Sequence, residues 1–171
     1  MFSKLSYKLK ALSTLEIIYP VFICLCFFWV YSFTFNSSLN LGGDNAAYYL
    51  LGKSLSTGQG YSSIQSFNSL PATHFPPGYS LLISIEMFLF SDSVNAIKYL
   101  NGFFLLCAAL TLFAIVKNFT SNIHFAFISV LFLFSNFHVL QYSSIMMSEI
   151  PFLFFSLLIL YHLMKINFVF L

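Results

Sequence analysis

The chain has no arginine, only five acidic residues against seven lysines, and charge at just 7% of its 171 positions. Set beside 59% hydrophobic residues and a mean hydropathy of +0.87, this excludes an ordinary soluble domain, because too few polar groups remain to cover a water-facing surface. No basic run follows the first ten residues, so the electrostatic footprint of a nucleic-acid binder is missing and no nucleic-acid partner is expected. Cysteine is scarce. Cys24 and Cys26 lie two apart and point to nearly opposite sides of a helix, and Cys107 is remote, so all three read as small apolar side chains. No internal repeat or heptad pattern is present.

Long apolar runs and aromatics are what the chain has in quantity, with 24 Phe and 10 Tyr. The expected fold is an all-α, polytopic membrane bundle of about four spans, over residues 16–35, 95–117, 123–142 and 150–166. The first is bulky and has no small-residue cleavage site after it, so it reads as an uncleaved signal anchor. Lys4, Lys8 and Lys10 precede it and place the N-terminus in the cytoplasm. Residues 117–122 form a polar turn, and Pro151 suits the first turn of the last helix.

Residues 36–94 differ, with most of the glycine and proline of the chain. They read as one large external loop carrying two short surface helices. The first begins at Asp44, as N-cap, and stops at Gly58. The second follows Pro77, and its apolar stretch of about ten residues is too short to cross a bilayer. With that helix on the surface, Lys117 and Lys165 fall inside, the segment from Ser143 to Glu149 falls outside, and Lys98 snorkels at the outer interface.

The five acids are then the informative residues. Glu16 complements the dipole of the first helix, Asp92 reads as a helix cap, and Glu86 either faces the aqueous loop or is neutral and hydrogen-bonded. Asp44 follows two glycines and opens a helix, where the dipole favours an ionised carboxylate fit to act as a general base. Glu149 sits at the next outer boundary. Each is explained by capping alone, but the topology brings both to one face. His74, in the stiff segment Ala72-Thr73-His74-Phe75-Pro76-Pro77-Gly78-Tyr79, either meets a phosphate or an acceptor hydroxyl or is simply a solvated loop residue. Tyr79 suits an interface. His124, His138 and His162 read as helix-packing or interface residues.

The pattern Gly43-Asp44, Ala47-Tyr48-Tyr49, Gly58-Gln59-Gly60-Tyr61 and Pro76-Pro77-Gly78-Tyr79 resembles the first external loop of GT-C-fold glycosyltransferases. The similarity is to dolichyl-phosphate-mannose-protein mannosyltransferase-like enzymes, including bacterial lipid A aminoarabinose transferases and rhizobial galacturonosyltransferase-like proteins. Tyr142-Ser143-Ser144 and Ser148-Glu149-Ile150-Pro151-Phe152 resemble that family's second acidic site. Members are usually longer, with more spans, so the chain reads as their N-terminal membrane part. The resemblance implies a polyprenyl-phosphate sugar donor and a lipid, glycan or protein acceptor at the outer face of a bacterial inner membrane. It implies that Asp44 and Glu149 are the catalytic acids.

An inverting transfer follows. Asp44 would activate the acceptor, and Glu149 would position it or share a divalent cation with Asp44; that cation is compatible with the pair but not required. His74, Tyr79 and Lys98 are the candidate substrate-binding residues, with Lys98 for the donor phosphate. The alternatives are an inactive truncated remnant, a non-catalytic membrane subunit, and a small transporter component, which would need a polar midplane cavity.

Overall fold

The computed structural model describes residues 14–38, 43–63, 70–90 and 92–169, with no side chains described beyond residue 166. Lys4, Lys8, Lys10, Gly42 and Ser91 lie outside the described residues. Seven helices are described: α1 (Thr14–Thr34), α2 (Asp44–Ser56), α3 (Pro77–Phe90), α4 (Val94–Thr120), α5 (Ile123–Ser135), α6 (Phe137–Ser143) and α7 (Glu149–Val169). Among the described residues no strand forms beyond one isolated bridge, Ser62 to Pro71. The expected all-helical architecture holds, as do the two short helices in the large loop.

Three helices, α1, α4 and α7, are long and apolar enough to cross a membrane. The expected span over 123–142 is broken instead: α5 and α6 meet at 70°, and a fourth span exists only if this bent pair is counted as one. Asn136 causes the break. Its backbone is extended, and its Oδ1 accepts from His138 N (3.0 Å) and Val139 N (3.2 Å). A side chain that satisfies the next helix's first N–H groups ends one helix and starts another.

Hydrogen bonds fix how the long helices lie. At one end Glu16 pairs with Lys117 at 2.6 Å, and the Tyr19 hydroxyl meets His124. At the other end the Tyr31 hydroxyl donates to Lys98 O (2.9 Å) and Ser143 O (3.4 Å). So α1 runs antiparallel to α4 and alongside α5–α6. Gly102 makes room for this contact, because a Cβ there would come within 2.6 Å of the Tyr31 ring. Gly102→Ala is expected to displace Tyr31 and destabilise the bundle by about 1–3 kcal/mol, the usual cost of overpacking. A lowered unfolding midpoint in detergent micelles checks it. Ala109 and Ala126 are fully buried beside Phe27, Phe113 and Phe134, and small residues of this kind let helices approach closely.

Helices α2 and α3 form a second layer at the end of the bundle where Tyr31 sits. Tyr48 packs on Tyr79, Gly52 on Ile83, and Ser56 Oγ donates to Met87 Sδ at 3.7 Å. The partners advance four residues at a time along both helices, so α2 and α3 run parallel. With 14 residues α3 is about 21 Å long, short of the ~30 Å bilayer core. One face packs inward; Leu81, Ile85, Phe88 and Leu89 remain exposed, an apolar face suited to the membrane boundary.

Glu86 lies on the inward face, 5% exposed, and its carboxyl oxygens have no hydrogen-bond partner among the described residues. The expected aqueous or hydrogen-bonded setting is therefore replaced by a dry one. Burial, helped by the charge of Asp92, pushes its carboxyl up to about 6. The folded state thus binds the proton more tightly than the unfolded chain. Stability is fully present below the unfolded value near 4.5 and is lost as pH rises through 6, by roughly 2 kcal/mol. Glu86→Gln is expected to abolish that slope in an unfolding series from pH 4 to 8.

Candidate functional site

The two loop helices and the start of α7 meet over one cavity of about 550 Å³, lined by Tyr48, Gly78, Tyr79, Glu149, Phe152 and Phe155 among others. Local sequence explains how each element arrives. Gly43, at φ 60°, turns the chain into α2, and Asp44 is the first helical residue. The expected Asp44 cap is therefore corrected: Gly43 holds the cap position, with no side-chain bond. Gly58, at φ 75°, ends α2 where expected, its N–H bonding Leu55 O at 3.1 Å. Pro77 and Pro151 lie in the first turns of α3 and α7, where a missing N–H costs little.

Asn101 joins these parts. It is fully buried; its Nδ2 donates to Ile145 O (2.7 Å) and Met147 O (3.1 Å), and its Oδ1 accepts from the Tyr79 hydroxyl (3.1 Å). One amide therefore pins the start of α3 and the α6–α7 loop to α4. Tyr48 packs edge-on against Tyr79 with centroids 5.0 Å apart, and its hydroxyl lies 3.2 Å from Ser148 Oγ. Burial holds the Tyr79 phenol far above its ordinary range, with the charge of Glu149 adding to it, so Tyr79 stays a donor.

The expected site residues fall in three places. Tyr79 and Glu149 share the cavity, with Glu149 exposed at its wall. Asp44 is exposed one turn before Tyr48, about 6 Å along α2, so it stands at the same end of the bundle but does not line the cavity. His74 is exposed and lines a neighbouring hollow of about 300 Å³ with Ala47, Leu51 and Phe75; Phe75 in turn packs on Tyr48. Lys98 does not snorkel. It is 1% exposed, and its ammonium donates to Asn36 O (2.7 Å) and Ser38 O (2.6 Å). It lines a separate cavity that shares no residue with the Glu149 cavity.

Asp92 is not a cap either. Ser93 caps α4, its Oγ accepting from Ala96 N, while Asp92 accepts from Tyr49 OH (2.6 Å) and Lys53 Nζ (2.7 Å). The Lys53 hydrogen bond, then that from Tyr49, holds the Asp92 carboxyl below its ordinary value. Both partners are consumed in clamping α2 to the turn before α4. Among the described residues no three His, Cys, Asp or Glu side chains cluster as a metal site would require. Asn101 was not singled out from the sequence; an amide inside an apolar helix, three residues after a lysine, is the signal that marks it. Comparison with family models, with curated proteins and with solved structures finds no match to the chain.

Proposed function

We propose that the chain is the membrane part of a glycosyltransferase that takes sugar from a polyprenyl phosphate at the non-cytoplasmic face of a bacterial inner membrane. One observation carries the reading: the cavity in which Glu149 lies beside the rings of Tyr48, Tyr79, Phe152 and Phe155, at the end of the bundle bearing the loop helices. Aromatic faces suit the C–H surface of a sugar, and a carboxylate accepts from its hydroxyls. Orientation is supported by Lys117 and Lys165, which lie at the opposite end with Glu16 and Asn118.

In the proposed step an acceptor hydroxyl attacks the anomeric carbon. The bond from that carbon to the phosphate oxygen breaks, and the phosphate leaves with the electron pair. The acceptor proton passes to a carboxylate, Asp44 or Glu149. His74, which lines the neighbouring hollow beside Phe75, is the residue we assign to the leaving phosphate. A non-catalytic membrane subunit is the second reading, favoured by the position of Asp44 outside the Glu149 cavity. Transfer from a polyprenyl-phosphate sugar by membranes expressing the full locus tests the choice. Carboxylate-dependent transfer supports an enzyme, and transfer indifferent to both carboxylates supports the subunit.

A further inference from the structure

The cavity at Lys98 lies on the other side of the Asn101 junction from Glu149. It holds about 530 Å³ and is walled by the exit of α1 (Phe33, Asn36, Ser38), by Lys98, and by α6 (Gln141, Ser144). Its position is tied to the break at Asn136, because α6, bent 70° from α5, supplies one wall.

Among the described residues Lys98 has no counter-charge. Of the ion pairs among the described residues, Glu16 is on Lys117 and Asp92 on Lys53, and no acid pairs with Lys98. Among the described residues, two carbonyls occupy two of its three N–H donors, and neither carries a charge to offset that of the ammonium. A buried ammonium without an opposite charge is costly, and an anion in the cavity would offset that cost. Asn36, Ser38, Gln141 and Ser144 line the cavity with Lys98; the Ser144 hydroxyl donates to Gln141 O at 3.0 Å, and Asn36 Oδ1 accepts from Ser38 N at 2.8 Å. The rim is apolar: Phe33 and Phe137 are strongly exposed, and Trp29 packs on Phe33 with centroids 5.3 Å apart. A cationic floor with polar side chains beside it, under an aromatic rim, fits a group with an anionic head and an apolar tail.

We infer that this cavity binds the phosphoryl group of an anionic membrane lipid, with Lys98 as its counter-ion. The lipid bridges α1 to the bent α5–α6 pair and is distinct from a sugar donor reacting at Glu149, since the two cavities share no wall.

The test titrates short-chain phosphatidic acid, short-chain phosphatidylcholine and inorganic phosphate into the detergent-solubilised full chain. Binding is read by native mass spectrometry and by the fluorescence of Trp29, the one tryptophan. Phosphatidic acid is expected to bind one-to-one and at least tenfold more tightly than phosphatidylcholine. Saturable binding of inorganic phosphate would identify the phosphoryl group alone as the ligand; binding of the lipid only would identify the headgroup with its chains. Lys98→Met is expected to weaken binding at least tenfold and Lys98→Arg to restore most of it. Gln141→Glu, on an exposed position, leaves the Lys98 contacts intact and puts a carboxylate on the cavity wall, and is expected to weaken binding as much. Glu149→Gln should leave it unchanged, which separates this site from sugar transfer. Equal binding of the two lipids, or a Gln141→Glu chain that binds as wild type does, would overturn the assignment.

Discussion

Asp44→Asn and Glu149→Gln are each expected to lower sugar transfer, by about 10²–10⁴-fold for the carboxylate that takes the acceptor proton, the range general-base catalysis supplies. An amide keeps the size and shape of the acid, but it replaces one acceptor oxygen with an NH2 donor and cannot take a proton at neutral pH. Both residues are exposed first residues of their helices, so neither change removes a buried contact. The unfolding midpoint should therefore stay near that of wild type while transfer falls. Initial rates of transfer from a polyprenyl-phosphate sugar, in membranes with matched expression, make the measurement. The wall position of Glu149 predicts that its loss also raises KM for the substrate seated there, whereas loss of Asp44 acts on kcat. A variant that transfers within twofold of wild type takes its carboxylate out of the chemistry.

Asn101→Leu is expected to cost about 3–5 kcal/mol of stability. The change keeps the volume but leaves the Met147 carbonyl without its donor and the Tyr79 hydroxyl without its acceptor, and leaves Ile145 O with the Met147 N–H alone. Each buried group left unsatisfied costs about 1–3 kcal/mol, and two are created together. The loss should be local at first, because α3 and the α6–α7 loop are tied to α4 through this one side chain. Hydrogen exchange in micelles should show faster exchange at 145–149 while 104–113 stays protected. A midpoint shift corresponding to less than about 1 kcal/mol would show that the junction is held by packing instead.

Features encoded locally were legible in the sequence. Helix lengths follow from apolar runs, α3 is recognisably too short to cross, and Gly58 ends α2 where a residue of positive φ belongs. Two of the failures share one physical cause, a partner distant in sequence. Asp92 looks like a cap until Tyr49 and Lys53, on another helix, claim its carboxylate. Lys98 looks like a snorkelling lysine until the carbonyls leaving α1 fold over it. Asn136 belongs to a different class: its capping chemistry is local, but the apolar run around it hid the break. For the candidate site, the sequence suggested one wet end with Asp44 and Glu149 on it. It could not indicate that Tyr48 and Tyr79 would wall the Glu149 cavity, or that Lys98 would line another, since both depend on how the second layer docks.

The proposed chemistry needs both carboxylates in water on one side of one membrane. Single cysteines at positions 44 and 149, in a chain with Cys24, Cys26 and Cys107 replaced by alanine, can be challenged in intact cells with a membrane-impermeant maleimide. Labelling of both from the outside, with a cysteine at Lys117 labelled only after the cells are opened, is the predicted result. Labelling of position 44 from one compartment and of position 149 from the other would contradict it.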